Sequence, residues 1–310
     1  MTGAALHERL AAACAELAGL PVQRDEPMAR HTTLGIGGPA DALVTAADEA
    51  SVTRVLAAAA RHGVPLFVLG GGSNLLVGDG GIRGITLTLA GALAELVVLE
   101  EGRRIEVGAA ASFPRLAQVA LSQGWPPAVG WFGTPGQVGG ALVMNAGTRQ
   151  GEIGDVVSEV RLASADGTER RLRPACGFGY RTSAFPPGAV LTSAVLQCDS
   201  HKSSEVEALT VMAHEQLNRR RATQPKQRSA GSIFKNPPGD FAGRLVEAAG
   251  LKGYAVGGAS ISDVHANFIV NTGGAVARDV VAVAEHARTV VRDRFGVELE
   301  WEVRRVGEHQ

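Results

Sequence analysis

The stretch Pro65-Leu66-Phe67-Val68-Leu69-Gly70-Gly71-Gly72-Ser73-Asn74-Leu75 runs a short apolar segment straight into three glycines. An unbroken apolar run of this length, bounded by proline and glycine, reads as a buried strand. Glycines that follow a strand let successive amides point into one concavity, which is a nest for an anion. A surface turn needs one or two glycines rather than three, and each costs conformational entropy unless a ligand or a positive φ repays it. The Lys-Ser/Thr ending of an NTP-binding loop is missing, which argues against ATP chemistry. The reading is a phosphate-bearing cofactor held by backbone.

Outward from this point, strand and helix patterns alternate. An apolar run over 42–47 and a helix over 48–61, stopped by Gly63 and Pro65, come before it. Short strands follow at 85–89, 96–100 and 104–107, then a helix over 113–123 between the N-cap Ser112 and the stop Gly124. Segments 156–163 and 168–172 flank Asp166-Gly167, a hairpin dipeptide. Near 199–204 strands give way to helices, over 203–221, 242–249 and 277–295. The last carries Val276, Val280, Val283, Ala287, Val290 and Val291 at helical spacing, a core stripe. Pro225, Pro237 and Pro238 place Ser232 in an irregular loop. Segment 299–306 alternates as a strand, with Leu299, Trp301, Val303 and Arg305 on one face and Glu300, Glu302 and Arg304 on the other. With an amphipathic helix over 6–17, the order predicts an α+β protein: an N-terminal lead-in over 1–30, a cofactor domain over 31–200 and a C-terminal domain over 201–310.

At 310 residues the chain exceeds the usual single core. Hydrophobic content of 45% with 20% charged residues is that of a soluble globular protein. A formal net charge of -1 gives no electrostatic ground for nucleic acid or an anionic membrane as partner. No apolar run is long enough to span a bilayer. Cys14, Cys176 and Cys198 lack the spacing of a metal or redox pair, so no metal is expected and a reducing, cytoplasmic location fits best.

Two further glycine-rich stretches stand out. Gly35-Ile36-Gly37-Gly38-Pro39-Ala40 formally matches a dinucleotide fingerprint, but residues 29–34 make a poor strand and Pro39 opposes the required helix, so it is read as a decoy. Gly133-Thr134-Pro135-Gly136-Gln137-Val138-Gly139-Gly140 runs into Ala141-Leu142-Val143-Met144-Asn145-Ala146-Gly147. Its small residues allow a large flat ligand to approach closely, and two separated backbone cradles suit a dinucleotide. A tight Gly-Pro turn is the other reading of this stretch.

In this order, Gly70 to Val77, Gly133 to Gly147, Phe178-Gly179-Tyr180-Arg181-Thr182-Ser183-Ala184-Phe185, Gly231-Ser232-Ile233-Phe234-Lys235-Asn236-Pro237 and Glu302-Val303-Arg304 resemble the UDP-N-acetylenolpyruvoylglucosamine reductase (MurB) family, over residues 31–307. The resemblance implies an FAD-binding domain of the vanillyl-alcohol-oxidase (PCMH) type in two subdomains, plus a smaller α+β substrate domain. It assigns non-covalent FAD to Gly70, Gly71, Gly72, Ser73, Asn74 and Leu75 and to Gly133, Thr134, Pro135, Gly136, Val138, Gly139, Gly140, Asn145, Ala146 and Gly147. It implies that NADPH is the reductant, that hydride reaches the vinyl carbon of UDP-N-acetylglucosamine enolpyruvate, and that UDP-N-acetylmuramate is made for peptidoglycan.

Hydride addition to an enol ether conjugated with a carboxylate builds enolate-like charge, so such a site needs cations, donors and a proton source. By the resemblance, Ser232 is the proton donor, and Arg181 and Glu302 flank the carboxylate and stabilise the intermediate. Tyr180, Lys235, Asn236, His265 and Asn267 match positions around the substrate or the nicotinamide. Without it, Ser232 reads as a loop serine, Arg181 as a surface cation, Glu302 as a solvated strand residue and His265 as a hydrogen-bonded structural residue. Arg219-Arg220-Arg221, Lys226 and Arg228 read equally as a phosphate-binding cluster or a solvated helix end. Thr148-Arg149-Gln150-Gly151-Glu152 departs from the commoner Ala-Tyr-Gly, and the length matches the family's shorter type, without its extra tyrosine loop. A monomer is expected. A flavin oxidase of the same fold and a non-catalytic nucleotide-sugar-binding protein remain alternative readings.

Overall fold

The computed structural model describes residues 3–199 and 203–309. The chain divides into two compact units, residues 1–23, 42–70 and 84–219, and residues 24–41, 71–83 and 220–310. The division expected between 200 and 201 lies outside the described residues. Segments 24–41 and 71–83 cluster with the C-terminal unit because strand Leu75–Val77 pairs in parallel with Arg304–Val306, from Leu75 opposite Arg304 to Val77 opposite Val306.

The first unit is built on a five-stranded antiparallel sheet in the order Gly167–Leu172, Val157–Ser164, Val190–Gln197, Arg104–Gly108, Leu96–Leu99. The central strand Val190–Gln197, which the sequence reading missed, buries Val190, Leu191, Thr192, Ala194 and Leu196. The hairpin turn falls on Ala165-Asp166, one residue before the expected pair, since Gly167 already pairs with Ser164. Leu66–Leu69 pairs in parallel with Ile85 to Thr88, so the strand that delivers the chain to Gly70 is set in a ladder. Helix Glu49–Arg61 is capped by Asp48, which accepts the Ser51 amide at 2.7 Å. Helix Phe113–Ser122 is capped by Ser112, which accepts from Arg115. Trp125 and Trp131 lie fully buried beneath the second glycine-rich stretch's flank, and the Trp125 Nε1–H donates to the Gly102 carbonyl at 2.6 Å. Burying two such side chains removes the largest apolar surfaces the chain has from water.

The second unit holds an antiparallel sheet in the order Arg228–Ser232, Phe268–Asn271, Ala259–Ile261, Ala255–Val256. Helix Ala277–Phe295 buries Val280, Val283, Ala284, Ala287 and Val291 in the same core as Ile233, Phe234, Ile261 and Ile269. Its N-terminus is closed from far away in sequence. The Asp79 carboxylate accepts the amides of Ala277 at 2.6 Å and Arg278 at 3.1 Å, satisfying orphan donors and complementing the helix dipole.

The expected strand over 299–306 is regular only at Arg304–Val306. Leu299 and Val303 are buried as expected, but Arg305, placed on the same face, is exposed, and residues 300–302 pair instead with 233–235: the Lys235 amide donates to Glu300 and the Glu302 amide to Ile233, both at 2.8 Å. Among the described residues no helix is long and apolar enough to cross a membrane.

Candidate active site

The first glycine loop belongs to the second unit from Gly71 onward. Gly72 has φ +61°, and a Cβ there would lie 1.9 Å from the His31 carbonyl oxygen. Its own carbonyl accepts the Thr33 amide at 3.1 Å. This glycine is therefore required by the protein's own backbone, which narrows the argument that all three glycines mark a ligand. The amides of Gly71, Gly72 and Ser73 find no acceptor among the described residues. Three adjacent, unengaged donors are the chemistry a diphosphate needs. The Asn74 side chain is turned elsewhere: Nδ2 donates to the Glu302 carbonyl at 3.1 Å while the Asn74 carbonyl accepts the Arg304 amide at 3.1 Å.

The second stretch is not a loop throughout, because Val138–Val143 is a short helix. The amides of Val138 and Gly139 donate to Ala111 and Ala109, at 3.0 and 2.8 Å, so these two contribute packing rather than donors to a ligand. Gly140 is different, with no atom within 4 Å of where a Cβ would stand. Asn145, only 3% exposed, gives its whole carboxamide to the protein. Its Nδ2 donates to Glu152 at 2.7 Å and to the Gly179 carbonyl at 3.1 Å, and its Oδ1 accepts the Gly154 amide at 2.9 Å. The expected cofactor contact of Asn145 is thus limited to its backbone; its side chain ties this stretch to the segment bearing Arg181. Thr148 and Gly151 form a tight hairpin, its Gly151 seated on Pro127. Within the first unit the space at Gly140 suits the close approach of a flat ring, and within the second the unengaged amides of Gly71 to Ser73 suit a diphosphate.

Arg181 sits in a four-residue turn closed by Gly179 and Thr182, which exchange amide-to-carbonyl bonds of 3.1 and 3.2 Å. Its φ is +57°, an αL conformation that costs a non-glycine residue about 1–2 kcal/mol and is retained where surrounding structure enforces it. The guanidinium carbon lies 5.2 Å from the ring centroid of the exposed Tyr180, and Nη2 donates to the Gly147 carbonyl at 3.4 Å. Turn, cation and second glycine stretch are thereby joined within one unit.

Ser232 ends strand Arg228–Ser232 rather than sitting in an irregular loop. The ladder pairs Ser229 with Val270 and Ser232 with Phe268, so Ala230 and Gly231 together oppose Ile269. This is a β-bulge, and Gly231 has φ +80°. An inserted residue shifts the in-out alternation by one. Ala230 and Ile233, three apart, are both buried, and Ser232 is left on the other, part-exposed side. Among the described residues its hydroxyl has no hydrogen-bond partner.

Ile233 is the junction of this unit's candidates. Its amide donates to the Asn267 carbonyl at 2.9 Å, and its carbonyl accepts the Glu302 amide at 2.8 Å. Ser232 and Glu302 are thus linked through Ile233, the residue after Ser232, whereas Arg181 belongs to the first unit.

The remaining predicted contacts are largely engaged with protein. Lys235 pairs with the exposed Glu300 at 3.3 Å, and Asn236 Oδ1 accepts the Ala242 amide at 3.1 Å, capping helix Ala242–Ala248. Neither arrangement bars a substrate. Asn267, 4% exposed, is engaged with backbone: its side chain donates to the Phe234 carbonyl at 2.8 Å and accepts the Phe234 amide at 3.1 Å. His265 closes the turn beneath it, Nδ1 accepting the Asn267 amide at 3.1 Å. Arg228 packs over Gly35, and residues 35–38 lead into strand Pro39–Ala46 rather than a helix, as the decoy reading requires. No metal-ligating cluster occurs among the described residues.

Burial, and then the nearby Lys252, push the His265 imidazole below its ordinary pKa. A folded value below the unfolded one means that the unfolded chain takes up the proton first. The stability His265 contributes is present above about pH 6.5 and is lost as pH falls towards its folded value. The thermal midpoint should therefore drop between pH 7.5 and 5.5, and His265→Gln should reduce that drop. An equal drop in the variant would assign the effect elsewhere, His309 being shifted in the same direction.

Residues 224–306 match the C-terminal domain of UDP-N-acetylenolpyruvoylglucosamine reductase, and residues 40–173 match an FAD binding domain. The UDP-N-acetylenolpyruvoylglucosamine reductase of Anaeromyxobacter sp. (strain Fw109-5) is 49% identical over 288 residues, 93% of this chain and 89% of that one. That of Myxococcus xanthus (strain DK1622) is 41% identical over 312 residues, 99% of each. The chain belongs to the UDP-N-acetylenolpyruvoylglucosamine reductase family. The crystal structure of the reductase (MurB) from Thermus caldophilus aligns with a TM-score of 0.78 at 38% identity, covering 92% of this chain and 99% of that one. Family membership makes the chain an FAD-dependent oxidoreductase with a PCMH-type α+β fold. The MurB C-terminal match takes in Ser232, Asn267 and Glu302, whereas the FAD-domain match takes in both glycine stretches and ends before Arg181.

Proposed function

We propose that this chain reduces UDP-N-acetylglucosamine enolpyruvate to UDP-N-acetylmuramate, a peptidoglycan precursor, with NADPH as reductant, acting as a cytoplasmic monomer. The observation that carries the reading is the Ile233 junction, which holds a hydroxyl without a partner among the described residues and a carboxylate-bearing residue on one short backbone link, inside the stretch that matches the MurB C-terminal domain.

Bound FAD supplies the hydride chemistry. Gly71, Gly72 and Ser73 would hold its diphosphate by their amides, and the small residues around Gly140 would admit its ring. Ser232 delivers a proton to the carbon next to the carboxylate, which calls for a strongly basic enolate because a serine hydroxyl is a weak acid. Arg181 places a cation on the carboxylate, and Glu302 shares in stabilising the charged intermediate. Tyr180, Lys235 and Asn236 contact substrate or nicotinamide. Residues 31–200 supply most of the flavin site and 201–310 the substrate side.

Purified protein should be yellow and should release its flavin on unfolding. Mixing it with NADPH should bleach the flavin, and adding the enolpyruvyl UDP-sugar should restore the colour in one turnover. Colourless protein that cannot be reconstituted with FAD, or reduced flavin recoloured by air but not by the UDP-sugar, would refute the proposal.

A further inference from the structure

The bulge at Ala230-Gly231 interrupts the ladder just before Ser232, so the chain beyond it needs another holder. The side chain of Asn267 provides one. A single carboxamide engages both backbone groups of Phe234, while the Asn267 carbonyl accepts the Ile233 amide. At 4% exposure these bonds lie away from water, where an unmade one is expensive. The clamp itself is fixed from below by the His265 ring and the Ile233 carbonyl is used by Glu302. Every backbone group of residues 233 and 234 is therefore committed, and the Cα of Ser232 is held from its C-terminal side as firmly as the ladder holds it at Phe268. No such need exists for packing alone, since Ile233 and Phe234 are already buried in the apolar core.

We propose that Asn267 is a positioning residue for the Ser232 hydroxyl rather than a substrate contact. The inference rests on reading Ser232 as the proton donor. A misplacement of about 1 Å at a reacting group costs on the order of 10²-fold in rate.

The experiment is stopped-flow flavin absorbance on the holoenzyme, with each half-reaction followed separately, for Asn267→Ala, Asn267→Asp, Ser232→Ala and the Asn267→Ala/Ser232→Ala pair. Asn267→Asp keeps the acceptor for the Phe234 amide and loses the donor to its carbonyl, which guards against an Ala variant that does not fold. The expected result is retained FAD, NADPH-driven reduction within about twofold of wild type, and reoxidation by the UDP-sugar slowed about 10–100-fold in Asn267→Ala, less in Asn267→Asp. The pair should be no slower than Ser232→Ala alone, because two residues acting through one hydroxyl are not additive. Wild-type reoxidation in both Asn267 variants, equal losses in both half-reactions, or full additivity in the pair would overturn the assignment. If Ser232→Ala itself reoxidises normally, the proton-donor reading fails and this inference falls with it.

Discussion

Ser232→Ala is expected to leave the reduction of bound flavin by NADPH at its wild-type rate and to slow reoxidation by the enolpyruvyl UDP-sugar by about 10²–10⁴-fold, the range a positioned proton donor contributes. The split follows from chemistry. Delivery of hydride from NADPH to flavin calls for no proton at the substrate carbon, so a hydroxyl committed to that carbon is silent in the first half-reaction. Removing one oxygen from a part-exposed position also leaves no buried group unpaired, so folding and flavin content should hold. Stopped-flow traces of the two half-reactions on the same preparation check both statements. Equal slowing of both would sink the role of Ser232 and leave a general structural effect in its place.

Gly72→Ala is expected to be the more damaging change to the protein itself. A methyl group there would stand 1.9 Å from the His31 carbonyl oxygen and 3.0 Å from the Thr32 Cα, at a φ of +61°. The obstacle is backbone on both counts, with no side chain to swing aside. Relief requires the segment around His31 to retreat, breaking the Thr33-to-Gly72 hydrogen bond. A strained φ and a lost hydrogen bond together come to about 2–4 kcal/mol. That lowers the thermal midpoint by about 8–16 °C, at about 4 °C per kcal/mol for a unit the size of the second one. The loop proposed to hold the FAD diphosphate moves with it, so FAD content should fall as well. Fluorescence of released flavin against temperature reads both effects; a variant with a wild-type midpoint and full flavin would show that the His31 segment yields readily.

The parts legible in the sequence were those with local causes. Helix Ala277–Phe295 announced itself by valines at helical spacing, and strand Leu66–Leu69 by its apolar run between Pro65 and Gly70. What escaped was set by partners far along the chain. Nothing near Asp79 foretells that it caps a helix starting at Ala277, and nothing near Asn267 foretells a clamp on Phe234. The bulge at Gly231 escaped for another reason: one extra residue in a strand has no periodic signature, and three prolines made the segment look irregular. The catalytic candidates came from an ordered set of motifs rather than from any residue's own character. The protein partners of the Asn145 and Asn267 side chains escaped for the same reason, since an asparagine in a motif looks the same whether its carboxamide meets a ligand or backbone.

The pairing of Leu75–Val77 with Arg304–Val306 sets a timetable for biosynthesis. Asn74 bonds to Glu302 across 228 residues of chain, Gly78 and Gly80 donate to the carbonyls of Val306 and Glu308, and these bonds anchor the segment just after the first glycine loop. At about 5–20 residues per second on the ribosome, the loop waits on the order of 10–45 seconds after its own synthesis before those partners exist. A nascent chain halted before residue 302 consequently carries a complete glycine motif that has its Thr33 contact but lacks every bond to the C-terminal strand.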